Sequence, residues 1–164
     1  MKERAAVAVA VRLAARKDKE KDMALADDCV FCRILKGEIP SVKVYEDDLV
    51  LAFLDIAPYN PGHTVIVPKE HQVSSTVLPE EYLCAMIKVA PKIGAALMRA
   101  TGAEGFNIVQ NNGRIAGQAV PHVHFHVIPR FADDKVVFSG SAGSYSGPAE
   151  MNELAQKVQK ALKI

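Results

Sequence analysis

No stretch of this 164-residue chain is long and apolar enough to span a bilayer, and none has the basic, apolar and small-residue layout of a secretory signal. A membrane role is therefore not expected. Charge of one sign is also lacking: 20 Lys and Arg stand against 19 Asp and Glu, a formal net charge of +1. No global field argues for nucleic acid or an acidic surface, and no nucleic-acid motif or internal repeat is visible. An anionic ligand has to be recognised locally. Cysteine is scarce. Three residues, one unpaired by arithmetic, fit a reducing compartment better than a disulfide framework, so a cytoplasmic protein is expected.

About half the residues are apolar, enough for one sizeable core and one domain. The first 28 residues differ in character, Ala- and Val-rich to Ala15 and then charged from Arg16 to Asp22. They read as a helical arm or disordered extension. Mitochondrial targeting is a weaker option, because Glu3 and later acids dilute the basic character. Residues 29–138 read as the domain, and 139–164 as a Gly/Ser-rich linker, Ser139 to Pro148, followed by a helix from Ala149 to Lys163.

Within the domain, Phe31 to Lys36 predicts a helical turn ending near Gly37, and Val42–Glu46 and Leu49–Leu54 predict a hairpin about Asp47. Pro58, Asn60, Pro61 and Gly62 break the sheet before a strand from His63 to Val67. Leu83, Met86, Ala90, Ile93 and Leu97 recur at three and four, predicting a long amphipathic helix from Pro79 to Ala100 with a bend at Pro91 and an end at Gly102. A strand from Phe106 to Gln110 and a loop with Asn111, Gly113 and Gly117 lead to the most informative segment.

That segment is His122-Val123-His124-Phe125-His126-Val127-Ile128. Alternation predicts a strand with the three imidazoles on one face and Val123, Phe125 and Val127 behind them. Imidazole serves as nucleophile, proton carrier or metal ligand near neutral pH, so three in line point to chemistry rather than to a polar edge strand. One metal cannot take all three: His122 and His126 should lie about 13 Å apart, against Zn–N bonds of about 2 Å. Cys29-x-x-Cys32 is a second chemical signal, open between metal binding and redox use, although no thioredoxin-like βαβ pattern surrounds it.

The run from His122 to Ile128 resembles the signature of the histidine triad family, His-φ-His-φ-His-φ-φ with φ apolar. The likeness extends from about Cys29 to Arg130 and includes Gly37-Glu38-Ile39-Pro40, Ala52-Phe53-Leu54-Asp55-Ile56, Pro61-Gly62-His63 and Gly117-Gln118. It is strongest to the Hint branch, with its purine nucleoside phosphoramidases. The resemblance implies an α+β fold with a five-stranded antiparallel sheet, a homodimer whose long helix faces the partner, and a purine mononucleotide ligand. It implies hydrolysis at the α-phosphate through a nucleotidyl-histidine on His124, with His126 and His63 in the same pocket. Dinucleoside polyphosphate hydrolysis, from another branch, and nucleotide-dependent regulation of partners are the alternatives.

By the same resemblance Phe31, Phe53 and Ile56 form the base pocket, Asp55 accepts the ribose hydroxyls, and Asn111, Gly117, Gln118 and Ala119 line the phosphate site. Ala119 stands where phosphoramidases commonly place a serine that assists the leaving group. Some members bind a structural zinc through two cysteines and two histidines, which here implies Cys29, Cys32, His71 and His122. No organic cofactor is implied.

Overall fold

The computed structural model describes residues 25–137 and 143–162; the expected extension up to Ala24 and part of the expected linker lie outside them. Five strands form one antiparallel sheet in the order β1-β2-β3-β5-β4: β1 Lys43–Glu46, β2 Val50–Leu54, β3 Thr64–Pro68, β4 Gly105–Gln110 and β5 Phe125–Arg130. Helix α1 spans Val30–Leu35, and α2 spans Glu80–Thr101. Helix α3, Pro148–Ala161, belongs to a second compact unit that begins at Lys135. It starts one residue earlier than the alternation of turn residues predicts, because proline is tolerated at a first helical position. Among the described residues no helix is long and apolar enough to cross a membrane.

Period-two alternation divides the buried residues between the two faces of the sheet. Val50, Ala52, Ile66, Val123, Phe125 and Val127 pack with Met86, Val89, Ala90, Ile93 and Leu97 of α2. Leu51, Phe53, Val65 and Val67 point the other way and pack with Cys29, Phe31 and Cys32 at α1. One face thus carries a long helix, while the other is covered over part of its area by a six-residue helix.

Two glycines set the closeness of α2. A Cβ on Gly94 would stand 2.4 Å from the Phe106 ring, so only glycine lets that ring of β4 lie against the helix. Gly102, at φ 75°, ends α2 in the left-handed conformation, its N–H donating to the Met98 carbonyl. At Pro91, where a bend is predicted, the helix runs unbroken. The carbonyl that loses its donor belongs to Ile87, an exposed residue, where water can reach it.

The histidine segment departs from the predicted strand. Pairing begins at Phe125, opposite Gln110 of β4 and Ile66 of β3, so His122 and His124 lie ahead of β5. The cause is at the end of β3. Pro68 has no N–H to donate, and its carbonyl accepts instead from His122 Nε2 at 3.1 Å. The backbone of this stretch is satisfied locally, with His122 N–H on Val120 O at 2.8 Å and Val123 N–H on Gln72 O at 2.7 Å. The alternation of side chains nevertheless holds, as Val123, Phe125 and Val127 all face α2.

Candidate active site and metal centre

His124 is buried, at 4 % exposure, and its Nδ1 lies 2.7 Å from the His122 carbonyl. A carbonyl can only accept, so Nδ1 carries the proton and Nε2 keeps its lone pair. The ring stands edge-on to Phe31 of α1 and to His126, with centroids 5.2 and 4.9 Å away.

His63, just ahead of β3, is held by the Pro/Gly loop, its N–H donating to the Asn60 carbonyl. Its Nδ1 lies 3.3 Å from the Tyr59 N–H and 3.7 Å from Asp55 Oδ2, and its Nε2 lies 2.9 Å from His126 Nδ1. The Tyr59 amide needs a lone pair on Nδ1, so His63 donates through Nε2 to His126, whose own Nε2–H is left as a donor. Burial pushes His63 and His124 below the ordinary imidazole value and His126 down to about 4. All three are neutral near pH 7. Asp55 follows β2; its Oδ1 accepts from the Ala57 N–H at 2.9 Å, which fixes the carboxylate in an Asx turn beside His63.

Phe31 and Phe53 meet edge to face at 5.8 Å and form an aromatic wall next to His124. Ile56, placed with them by resemblance, is fully exposed at 100 %. Asn111 follows the last pair of β4, Gln110 opposite Phe125, and opens the loop that runs to Ala119. Gly113 and Gly117 have φ of 83° and 90°, so two of its turns need the left-handed conformation. Gln118 turns inward. Its Oε1 accepts from the Gly113 N–H at 2.7 Å and its Nε2 donates to Val73 O at 2.9 Å, so this buried amide pins the loop and is not free for a phosphate. Ala119 is exposed.

Cys29, Cys32, His71 and His122 bring one ligand atom each within 4.8 Å of the others. The two Nδ1 atoms are 3.2 Å apart, Cys32 Sγ is 3.2 Å from His71 Nδ1, and both sulfurs are 3.5 Å from His122 Nδ1. A tetrahedral zinc with bonds of about 2.0 Å to nitrogen and about 2.3 Å to sulfur has edges of about 3.3 Å between nitrogens and about 3.5 Å between nitrogen and sulfur. The four side chains thus fit a closed tetrahedral site. His122 Nε2–H on Pro68 O orients that ring with Nδ1 toward the cysteines, the usual outer support of a metal-bound imidazole. Burial and the neighbouring Cys29 push the Cys32 thiol up to about 12, and burial lowers His122 to about 4. A divalent cation held by these four side chains would stabilise the thiolate form of the buried cysteines.

Several participants carry no signal in the sequence. Pro68, Gln72 and Val73 act through carbonyls, and Tyr59 through its N–H. Only the chain path reveals them.

A three-imidazole site on an antiparallel sheet, with a Cys₂His₂ cluster behind it, defines a class, and comparison with known proteins gives that class its name. The model of the HIT domain matches residues 36–133, more than half of the chain. The chain belongs to the HIT family. It is similar to an adenosine 5′-monophosphoramidase of Schizosaccharomyces pombe, 40 % identical over 135 residues, covering 82 % of this chain and 98 % of that protein. An adenylylsulfatase of Arabidopsis thaliana is 41 % identical over 128 residues, 78 % of this chain and 65 % of that protein. Among solved structures, a Streptococcus mutans protein superposes with a TM-score of 0.78 at 41 % identity, covering 85 % of this chain and 88 % of the other. A zinc-bound histidine triad protein of Mycobacterium smegmatis reaches 0.65 at 35 % identity, covering 82 % and 98 %.

Proposed function

We propose that the protein is a nucleotidyl hydrolase of the adenosine 5′-monophosphoramidase type, acting on purine nucleotides substituted at the α-phosphate. The observation that carries this reading is the bond from His124 Nδ1 to the His122 carbonyl, which leaves a neutral, uncommitted Nε2 in a row of imidazoles. Such a nitrogen attacks the α-phosphorus; the bond to the leaving group breaks, and an amine leaving group takes one proton. His126, fed by His63, is placed to carry that proton through its Nε2–H. Water then adds to phosphorus, the P–N bond to His124 breaks, and the mononucleotide departs.

Phe31 and Phe53 supply a wall for the base, with Ile56 at its exposed edge, and Asp55 an acceptor for the ribose hydroxyls. Asn111, Gly117 and Ala119 border the phosphate through the loop, whose shape Gln118 maintains. Cys29, Cys32, His71 and His122 hold a structural zinc, which ties α1 to the histidine segment without an open position for water. The relatives named as phosphoramidase and adenylylsulfatase, and the zinc-bound neighbour, support this reading, of which the homodimer that the family resemblance implies is a further part. Turnover of adenosine 5′-phosphoramidate, set against that of a dinucleoside polyphosphate, tests it. Release of adenosine monophosphate from the first at a much higher kcat/KM supports it; the reverse preference overturns it, and binding without turnover of either favours a regulatory role.

A further inference from the structure

His63 Nδ1 faces two groups with opposite demands. The Tyr59 N–H, 3.3 Å away, needs a lone pair on that nitrogen, whereas the Asp55 carboxylate, with Oδ2 at 3.7 Å, would accept from an N–H there. Only one can be satisfied. The choice passes down the pair of imidazoles. With the lone pair on Nδ1, His63 donates through Nε2 to His126 Nδ1 over 2.9 Å, and His126 presents its Nε2–H. With a proton on Nδ1 the bond reverses: His126 donates from Nδ1, and its Nε2 is bare. A bare nitrogen offers a phosphate oxygen or a leaving group no hydrogen.

The two distances differ by a few tenths of an ångström, so whatever fixes the Tyr59 amide decides the outcome. The next residue does so. The Asn60 carbonyl accepts from the His63 N–H at 3.0 Å, and the Asn60 side-chain amide donates to Pro129 O at 2.8 Å and to Asp134 Oδ2 at 3.0 Å. Asp134, whose side chain is 4 % exposed, is itself held. Arg130 donates to its two oxygens from Nε and Nη2, each at 2.7 Å, and the Phe131 N–H adds a bond of 3.0 Å. Arg130 Nη1 reaches Asn107 Oδ1 of β4 at 2.6 Å. The loop that carries Tyr59 is thereby bolted to the end of β5, the strand that carries His126, at a point away from the imidazoles.

We infer that Asn60, locked by Asp134 and Arg130, is a positioning residue that keeps the Tyr59 amide on His63 Nδ1 and so keeps His126 a donor through Nε2, a role that rests on the hydrolase reading above for its use in turnover. The lock touches neither the aromatic wall nor His124. Its loss lets the loop relax toward the alternative in which Asp55 accepts from His63 Nδ1–H, and the donor beside the nucleophile disappears while the nucleophile itself is intact.

The test reads the tautomer and the turnover separately, on the full chain. Nitrogen-15 resonances of labelled histidine, assigned to His63 by their loss in His63→Gln, should show Nδ1 unprotonated and Nε2 protonated in the unaltered protein. Asn60→Ala should shift this population toward Nδ1–H, and should lower kcat for adenosine 5′-phosphoramidate by roughly 10- to 100-fold with adenosine monophosphate affinity little changed. Asp134→Asn, which keeps the size of the side chain and one acceptor oxygen, should move both readouts the same way by less, and covers the case in which Asn60→Ala does not fold. In a His63→Gln background Asn60→Ala should cost nothing further, because its effect passes through that ring. A proton found on Nδ1 of the unaltered protein overturns the inference, as does a tautomer that neither variant shifts. A loss of kcat just as large in the His63→Gln background also overturns it, since Asn60 would then be merely structural. A tautomer that shifts with Asn60 in a protein that hydrolyses neither the phosphoramidate nor a dinucleoside polyphosphate keeps the positioning role and overturns the hydrolase reading.

Discussion

His122 and His124 are two residues apart, both buried and in the same segment, yet their rings are oriented in opposite senses. His122 donates through Nε2 to the Pro68 carbonyl and turns Nδ1 toward two thiols; His124 donates through Nδ1 to the His122 carbonyl and leaves Nε2 free. One imidazole becomes a member of a closed Cys₂His₂ set and the other a candidate nucleophile. The difference teaches that a histidine's role follows from which carbonyl meets which nitrogen, and not from its position in a motif. It also links the two regions, since the residue whose ring joins the cluster supplies the carbonyl that orients His124.

The largest effect expected is on the nucleophile side of this pair. His124→Ala should reduce turnover by about 10³-fold or more while mononucleotide affinity changes little, because Phe31, Phe53 and Asp55 remain. Mass spectrometry should detect a nucleotidyl adduct in the unaltered protein and none in the variant. Retained activity would remove the distinction between the two rings.

Breaking the other side should act first on stability. Chelation, or Cys32→Ser, should cost several kcal/mol of folding free energy and lower the melting temperature before hydrolysis is lost, since the cluster holds α1 against the histidine segment. Elemental analysis should find one zinc per chain. Less than a few tenths, with freely reactive thiols after zinc is added back, would refute the metal centre.

Asp55→Ala should weaken adenosine monophosphate by roughly 2–4 kcal/mol, for two hydrogen bonds to a charged acceptor, and should spare a free base. Calorimetric titration separates these outcomes; equal losses for base and nucleotide would assign Asp55 to the turn it makes with Ala57 rather than to ribose.

The smallest effect concerns pH. His126 has a folded-state value of about 4 against an ordinary 6.5, so the unfolded chain binds the extra proton first. Its contribution to stability is fully present above 6.5 and is lost as pH falls through about 4, a change on the order of 1 kcal/mol after solvent screening. Replacing His126 by Gln should flatten the melting temperature across that window relative to the unaltered protein. An unchanged slope would mean that His126 is not the group responsible.

Much of this was legible beforehand. The alternation through His122 to Val127 assigns the faces correctly because side-chain period depends only on extended backbone, and the three-and-four spacing of Met86, Ala90, Ile93 and Leu97 marks the face that α2 buries. The start of β5 was not legible, because it depends on Pro68 in a different strand. Nor was the inward turn of Gln118, nor the exposure of Ile56, which family likeness assigns to the base pocket with Phe31 and Phe53.

The sequence by itself determined the residue types that chemistry requires and the periodicities that sort them onto faces: three alternate histidines, a Cys-x-x-Cys pair, and strands whose neighbouring residues point to opposite sides. Only the tertiary structure decided which atoms of those residues do what. It set Nδ1 of His122 among the thiols and Nδ1 of His124 on a carbonyl. The physical reason is that tautomer, burial and charge are properties of contacts, and contacts between residues fifty or ninety positions apart form only when the chain closes its sheet.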